Sequence, residues 1–264
     1  MSELKIEQRG AVTVLTLNRP ERHNALSLSL AEGLKIAVAE FRADEDQKVL
    51  IITGSGDKAF CSGADLKMLG GEGGGGRRLP TAPEPDMVGL GACEKPVIAA
   101  INGLAVGGGA EIAMFCDIRL AAEDAWFAFP EPSRGFIAGI TALMLPRLVP
   151  MGAAFDMMLT GERVSAEEAY RIGLVQKTMP REKLMEEAER KARLMCGHSR
   201  SALMGTKNVL RFYRDIMLAE HHRYYDAVVQ RVFLSGDFVE GVDAFREKRS
   251  PDFSTGWPDP FARG

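Results

Sequence analysis

The chain has 264 residues, of which 46% are hydrophobic and 26% charged, with a formal net charge of −3. Such a chain can bury a sizeable core, as one large domain or a domain with a small appendage. The isoelectric point of about 5.9 provides no overall basic field, so nucleic acid is not an expected partner. An anionic ligand therefore requires a local cluster of Lys and Arg.

The cysteines and histidines favour neither a disulfide framework nor a metal site. The four cysteines form no CxxC pair and no histidine has ligand spacing, so we expect reduced thiols and no metal. The first residues contain no apolar leader, and no apolar run approaches the ~20 residues that cross a membrane. A cytoplasmic protein without membrane contact is the expectation.

Short apolar strands and helices alternate over the first 130 residues. In chain order, the patterns predict strands over residues 4–7 and 12–17, a helix over 25–41, strands over 49–52 and 96–101, a helix over 110–115, and strands over 118–121 and 126–129. Arg9-Gly10 supplies the turn between the first two strands. This alternation indicates an α/β architecture whose strands are covered on both faces.

The strand signal stops after about residue 180. Residues 182–196 and 201–234 have helical patterns, so we predict an α/β body over residues 1–198 and a C-terminal helical region over 199–264. Several apolar residues of that region are compatible with subunit contacts and equally with an intrachain core: Phe212, Tyr213, Tyr224, Tyr225, Val228, Val229 and Phe233.

Six of the seven residues at 70–76 are glycine, which indicates a loop because glycine in a regular element sacrifices backbone entropy. Residues 71–76 match GxGxxG but do not directly follow a strand, so a dinucleotide site is not supported. The chain has no GxSxG and no GK[ST] string, which argues against a serine hydrolase and a P-loop enzyme.

Two glycine-containing segments each follow a predicted strand and lead into a predicted helix. Residues 59–66 read AFCSGADL, and residues 101–111 read INGLAVGGGAE. Glycine lets backbone N–H groups approach a ligand, and a helix start adds partial positive charge. The second segment alone is equally a tight turn, but two such entrances facing each other place two donors on one oxyanion. Asp65 is best read as a helix N-cap.

Glu111 and Glu131 are the candidates for general acid/base chemistry. Any single Glu is ordinarily a solvated surface residue, but these two have apolar neighbours that would raise their pKa values towards neutrality. Pro132 follows Glu131 and predicts an extended backbone there.

At this point the sequence resembles the crotonase (enoyl-CoA hydratase/isomerase) superfamily, and its motifs are closest to those of enoyl-CoA hydratase. The resemblance covers essentially the whole chain, and it implies a spiral of repeated ββα units followed by a C-terminal helical trimerisation region. The strings that carry it are residues 24–27 (NALS), 59–66, 102–111, 130–131 (PE), 159–161 (LTG) and 244–249 (AFREKR).

The resemblance also implies an active site. The N–H groups of Ala64 and Gly108 would form an oxyanion hole for a thioester, while Glu111 and Glu131 would hold a water for addition to a 2-enoyl-CoA. Coenzyme A is then part of the substrate, and no separate cofactor is expected. The homo-oligomer would be a trimer or a hexamer. The implied substrate contacts are Ala25, Gly63, Asp65, Leu66, Lys67 and, from a neighbouring subunit, Phe245 and Lys248, with Arg249 adding positive charge for the phosphates.

One segment departs from the family pattern. After Glu131 the chain is one residue shorter than expected and has Ile140-Thr141 in place of paired glycines. Bulkier side chains there affect the acyl pocket or the water, so isomerisation or dehydration of an unusual acyl-CoA stays open beside hydration, as does the acyl group. A non-catalytic binder of acyl-CoA or RNA is disfavoured, because burying two glutamates without use is costly.

Overall fold

The computed structural model describes residues 2–65, 88–216 and 218–253 of the chain. Most of its strands are short. Their bounds are β1 Leu4–Arg9, β2 Val12–Leu17, β3 Val49–Gly54, β4 Ala59–Cys61, β5 Val97–Ile101, β6 Leu104–Val106, β7 Ile118–Ala122, β8 Trp126–Ala128, β9 Val164–Ser165 and β10 Lys177–Met179.

Helices flank these strands and make up most of the second half of the chain. The α-helices are α1 Leu28–Ala43, α2 Gly108–Phe115, α3 Thr141–Met144, α4 Met151–Thr160, α5 Ala166–Arg171, α6 Arg181–Cys196, α7 Arg200–Asp215, α8 Leu218–Leu234 and α9 Asp237–Glu247. Short 3₁₀ helices span Pro20–Arg22, Glu131–Arg134 and Leu145–Arg147.

The strands are shared between two sheets, with the orders β1-β2-β3-β5-β7-β10 and β4-β6-β8-β9. The successive pairs β3/β4, β5/β6 and β7/β8 each give one strand to the first sheet and the next to the second. The paired strands within each sheet run parallel, except β1 with β2 and β8 with β9. Because every repeat advances both sheets by one strand, the chain winds as a spiral, which confirms the predicted α/β class.

Several predicted strands are observed in the buried core of the protein. β3 and β5 are buried along their whole length, as expected for apolar strands covered on both faces. The hairpin forms as predicted, with Leu4 opposite Leu17. The sequence patterns did not predict the short strands β4, β6, β9 and β10.

Two predicted helices differ most from those observed. The helix predicted from residue 25 begins at Leu28, because Ser27 caps it by accepting a hydrogen bond from the Leu30 N–H. The stretch predicted as helical over 201–234 forms two helices, α7 and α8, since the backbone at Ile216 leaves the helical conformation, with a ψ of 131°. The Gly-rich stretch at 70–76 lies outside the described residues.

The C-terminal helices return to the body of the same chain. α9 packs on the 3₁₀ helix Glu131–Arg134, and the contact is so close that a Cβ on Gly241 would overlap the Arg134 carbonyl. Tyr225 and Val229 of α8 are buried within the chain, whereas the aromatic rings of α7 and Tyr224 are exposed. The boundary at residue 198 and the trimerisation role stay predictions. Within the described ranges, no helix is long and apolar enough to cross a membrane.

Candidate active site

The first candidate oxyanion donor lies in a one-residue β-bridge between Leu26 and Ala64. The Leu26 N–H donates to the Gly63 carbonyl at 2.8 Å, and the Asp65 N–H donates to the Leu26 carbonyl at 3.0 Å. In parallel pairing, the residue between two bonded neighbours directs its own N–H away from the partner. The Ala64 N–H accordingly has no acceptor among the described residues.

The second candidate donor is the first residue of α2. Gly107 precedes the helix with a φ of 51°, a conformation that favours glycine, and its N–H donates to Ala128 at 3.0 Å. The following N–H, that of Gly108, has no intrahelical acceptor because it opens the helix. No acceptor for it is found in the described part of the chain.

Glycines allow these two segments to touch. Gly63 has a φ of 84°, and a Cβ built there would lie 3.1 Å from the Gly108 nitrogen. A Cβ on Gly109 would overlap the Cys61 carbonyl at the end of β4. The structure therefore brings Ala64 and Gly108 onto adjoining backbone, as the sequence led us to expect. Their role as an oxyanion hole stays a prediction.

Glu111 lies inside α2, where residues 109–114 are all buried. Only 8% of its surface is exposed. Its Oε1 accepts two hydrogen bonds from Thr141, one from the N–H at 3.2 Å and one from the hydroxyl at 2.9 Å. Burial raises the pKa of Glu111, and the two bonds from Thr141 oppose that rise. The residue that departs from the family pattern is thus the direct partner of this carboxylate.

Glu131 opens a 3₁₀ helix, so the prediction of an extended backbone there was wrong. Pro132 fits the first turn of that helix, where its missing N–H costs nothing. A Cβ on Gly107 would lie 2.6 Å from Glu131 Oε1, which places this carboxylate against the start of α2. Its Oε2 is buried and accepts no hydrogen bond from the described residues.

The protonation of Glu131 follows from that environment. Its pKa is raised to about 7, mainly by burial and also by the negative charge of Glu111, while a hydrogen bond from its own backbone and the charge of Arg134 oppose the rise. The Glu131 carboxylate lies against Gly107, whose carbonyl accepts the Glu111 N–H at 3.0 Å, so the two glutamates share one region. A carboxyl group with a pKa near 7 exchanges protons readily at neutral pH.

Tyr225 of α8 joins the two glutamates, which the sequence did not predict. It is 4% exposed, and its pKa is raised by burial and then by the charges of Glu111, Asp226 and Glu131. The helical pattern marked Tyr225 only as a core or subunit contact. Tyr225 reaches this region because α8 packs against earlier parts of the chain such as α3, a contact that local sequence does not reveal.

Arg19 organises the segment expected to meet coenzyme A, and no motif pointed to it. Its guanidinium donates to the Ala25 carbonyl at 2.6 Å and pairs with Asp65 at 3.2 Å and Glu3 at 2.9 Å. These bonds tie together the two chain segments that form the Leu26–Ala64 bridge. The predicted N-cap role of Asp65 involves residues outside the described part.

Two buried asparagines hold the turn that leads into β4. Asn24 Nδ2 donates to the Ala59 carbonyl at 2.8 Å, and Asn102 Nδ2 donates to the same carbonyl at 3.2 Å. Asn102 Oδ1 also accepts from the Gly54 N–H at 3.0 Å. Two of the strings that carried the family resemblance thus contain residues that position the first donor segment.

The remaining predicted substrate contacts are spread more widely. Ala25 is buried beside Arg19, and Leu66 and Lys67 lie outside the described residues. Phe245 is half exposed, with the guanidinium of Arg134 5.0 Å from its ring centre, and Lys248 is exposed. Arg249 is paired within the chain with Glu240 and Glu247. Contact of Phe245 and Lys248 with a neighbouring subunit's substrate stays a prediction.

Metal ligation finds no support in the described ranges, where no group of three or more His, Cys, Asp or Glu side chains could hold an ion. All four cysteines are free.

Comparison with known proteins agrees with this geometry. The family model described as "Enoyl-CoA hydratase/isomerase" matches residues 7–256. The chain belongs to that family. A probable mitochondrial enoyl-CoA hydratase of Dictyostelium discoideum is 38% identical over 93% of this chain and 88% of its own length. A carnitinyl-CoA dehydratase of Salmonella typhi is 36% identical over 95% of this chain and 98% of its own.

Solved structures of the enoyl-CoA hydratase/isomerase family share the fold. A carnitinyl-CoA hydratase from Mycobacterium avium superposes with a TM-score of 0.84 and 31% identity, covering 96% of this chain and 99% of its own. The predicted membership of the crotonase superfamily and the predicted spiral fold are confirmed. So is the predicted class of enzyme, a hydro-lyase that processes acyl-CoA by hydration or a related reaction.

Proposed function

We propose that the protein catalyses the reversible syn-hydration of a 2-enoyl-CoA thioester to a 3-hydroxyacyl-CoA. The observation that carries this proposal is the pair of buried carboxylates, Glu111 and Glu131, beside two backbone N–H groups that have no acceptor among the described residues. Two donors aimed at one thioester oxygen stabilise the enolate that develops when water adds to Cβ.

Each carboxylate has one task in this reaction. Glu111 takes a proton from the water as its oxygen bonds to Cβ, and Glu131 delivers a proton to Cα as the enolate collapses. Dehydration uses the same groups in reverse. In both directions the active state of the free enzyme carries one proton on the pair, so kcat/KM should follow a bell-shaped pH profile.

Replacing either carboxylate tests the proposal. Glu111→Gln and Glu131→Gln should each lower kcat on crotonyl-CoA by roughly 10²–10⁴-fold, the usual contribution of a general acid or base. Loss of the conjugated thioester absorbance measures the rate. Glu162→Gln, at an exposed position, is the matched control and should keep full activity. Full activity in Glu111→Gln would contradict the assignment, and binding of crotonyl-CoA without turnover by the unaltered protein would support a non-catalytic binder.

Dehydration of an unusual hydroxyacyl-CoA, or double-bond isomerisation, is the second candidate. Ile140-Thr141 in place of paired glycines favours it, together with the similarity to carnitinyl-CoA dehydratases. A panel of short, long, branched, aromatic and trimethylammonium-bearing acyl-CoAs separates the two. Higher kcat/KM for a substituted hydroxyacyl-CoA than for any simple enoyl-CoA would favour the second candidate.

We propose further that the protein assembles as a homotrimer or a hexamer and works in the cytoplasm. Exposed aromatic side chains on the C-terminal helices, Phe212, Tyr213 and Tyr224, support assembly. Four unpaired cysteines fit a reducing compartment. Light scattering on the purified chain tests the assembly, and a monomeric mass would contradict it.

A further inference from the structure

Thr141 has a position that the sequence pattern left unexplained. It is fully buried, at 0% exposure, and it is the first residue of α3. A buried hydroxyl needs a partner, and this one donates to Glu111 at 2.9 Å. The Thr141 N–H donates to the same oxygen at 3.2 Å.

The two carboxylates of the site therefore differ in their hydrogen bonds. Both donors from Thr141 meet Oε1 of Glu111. The second carboxylate oxygen accepts no hydrogen bond from a described residue, so it is available to a water. Glu131 has a buried oxygen with no donor among the described residues. Hydrogen bonds donated to a carboxylate favour its ionised form, and burial with fewer donors favours the protonated form. Among the described residues, the hydrogen bond that lowers the pKa of Glu131 comes from its own backbone, whereas Glu111 receives two from Thr141.

We propose that Thr141 is a positioning residue that keeps Glu111 ionised and oriented towards water, so that the single proton of the active pair resides on Glu131. This inference rests on the proposed hydration. Thr141, which lies where the chain departs from the family pattern, then determines which of the two glutamates is ionised.

The other groups that face the pair do not supply the same stabilisation. Glu131 and Tyr225 are acids, and Cys61, packed against α2 at Gly109, is a neutral thiol whose pKa burial raises to about 12. Arg134 is the cation near Glu131, and burial lowers its own pKa. In the part of the chain that the structure describes, the donors that oppose the raised pKa of Glu111 both come from Thr141.

The test compares pH profiles of kcat/KM on crotonyl-CoA. Thr141→Val keeps the shape and the N–H but removes the hydroxyl. The pKa of Glu111 should then rise, and the acid limb should move to higher pH by roughly one unit. Thr141→Ser restores the hydroxyl. Its acid limb should lie within roughly 0.3 pH units of that of the unaltered enzyme. An acid limb in Thr141→Val that coincides with that of the unaltered enzyme overturns the proposal, even if kcat falls.

Thr13→Val is the matched control. Thr13 is also buried, and its hydroxyl donates to a neutral side chain, Gln47, at 2.9 Å. This variant should lose stability comparably without moving either limb. If Thr141→Val does not fold, Thr141→Ala serves the same purpose, and its unshifted acid limb would equally overturn the proposal.

A readout independent of turnover separates this inference from the proposed function. The infrared carboxylate band of Glu111, identified by its loss in Glu111→Gln, can be titrated in the resting protein. Removal of the Thr141 hydroxyl should shift its midpoint upward. A shifted midpoint without turnover of any 2-enoyl-CoA in the panel would sustain the role of Thr141 and reject hydration. An unshifted midpoint with normal turnover would reject the role of Thr141 and leave hydration supported.

Discussion

The surroundings of Glu111 and Glu131 are built in different ways. Glu111 belongs to α2, whose residues 109–114 are buried in the core, and it is held by two bonds from Thr141. Glu131 belongs to a single 3₁₀ turn that packs against α9, and one of its oxygens has no partner among the described residues. The core therefore fixes one carboxylate, while the C-terminal region braces the other. Two identical side chains therefore lie in different hydrogen-bonding environments.

The largest expected effects come from substitutions that disrupt the packing around one glutamate at a time. A Cβ on Gly109 would overlap the Cys61 carbonyl, and a Cβ on Gly241 would overlap the Arg134 carbonyl. Because neither carbonyl can retreat without moving backbone, Gly109→Ala and Gly241→Ala should each lower the free energy of unfolding by about 1–3 kcal/mol. Thermal and urea denaturation measure this loss.

Activity should distinguish the two glycines. Gly109→Ala displaces Gly108 and Glu111 together and should reduce kcat/KM by roughly 100-fold, as small misplacements of catalytic groups do. Gly241→Ala reaches Glu131 alone and should cost less. Gly205 of α7 has nothing within 4 Å of a built Cβ, so Gly205→Ala should gain up to about 1 kcal/mol from helix propensity. The packing argument fails if Gly109→Ala melts like Gly205→Ala.

A second test compares the free energies of unfolding of Glu131→Gln and the unaltered protein at two pH values. The folded state raises the pKa of Glu131 from 4.5 to about 7, so its contribution to stability is intact below the unfolded pKa and is lost as pH rises through about 7. At pH 8 the ionised side chain costs up to about 3 kcal/mol. Glu131→Gln should therefore be more stable than the unaltered protein at pH 8 and similar to it at pH 4. Equal differences at both pH values in urea denaturation would refute the raised pKa.

The smallest expected effect concerns Arg134, whose positive charge opposes the rise in the pKa of Glu131. Arg134→Met should move the descending limb of the kcat/KM profile to higher pH by roughly half a unit, because a nearby cation favours the ionised carboxylate. The acid limb, which reports Glu111, should stay in place. Movement of both limbs together would contradict the assignment of one limb to Glu111 and the other to Glu131.

Sequence patterns predicted the parts of this molecule that depend on local spacing. The hairpin, the buried strands β3 and β5 and the helix at Glu111 follow from hydrophobic periodicity and turn residues. The two glycine-containing segments were found because glycine between a strand and a helix lets backbone N–H groups approach a ligand. Their mutual contact, seen at Gly63 and Gly109, agrees with the prediction.

What the patterns missed depends on contacts between distant segments. Thr141 is 30 residues from Glu111, and Arg19 is 46 residues from Asp65, so no local spacing relates them. The backbone at Glu131 was predicted wrongly because the preference imposed by Pro132 was outweighed by the 3₁₀ turn that α9 packs against. Tyr225 enters the site only through the path of α8. Each of these features is decided by tertiary packing rather than by neighbours in sequence.

The bridge between Leu26 and Ala64 has a consequence for measurement. In the described part of the chain it is formed by two amides, the N–H groups of Leu26 and Asp65, beside a neighbouring bond from the Ser62 N–H to the His23 carbonyl. A local opening therefore exposes the two bridge amides to solvent without unfolding a sheet. A ligand oxygen bound to the Ala64 N–H requires the closed form. Hydrogen–deuterium exchange at these two amides should then slow by the factor 1 + [L]/Kd. Isotope uptake at two backbone positions thus becomes a measure of site occupancy, even in a Glu131→Gln protein that no longer turns substrate over.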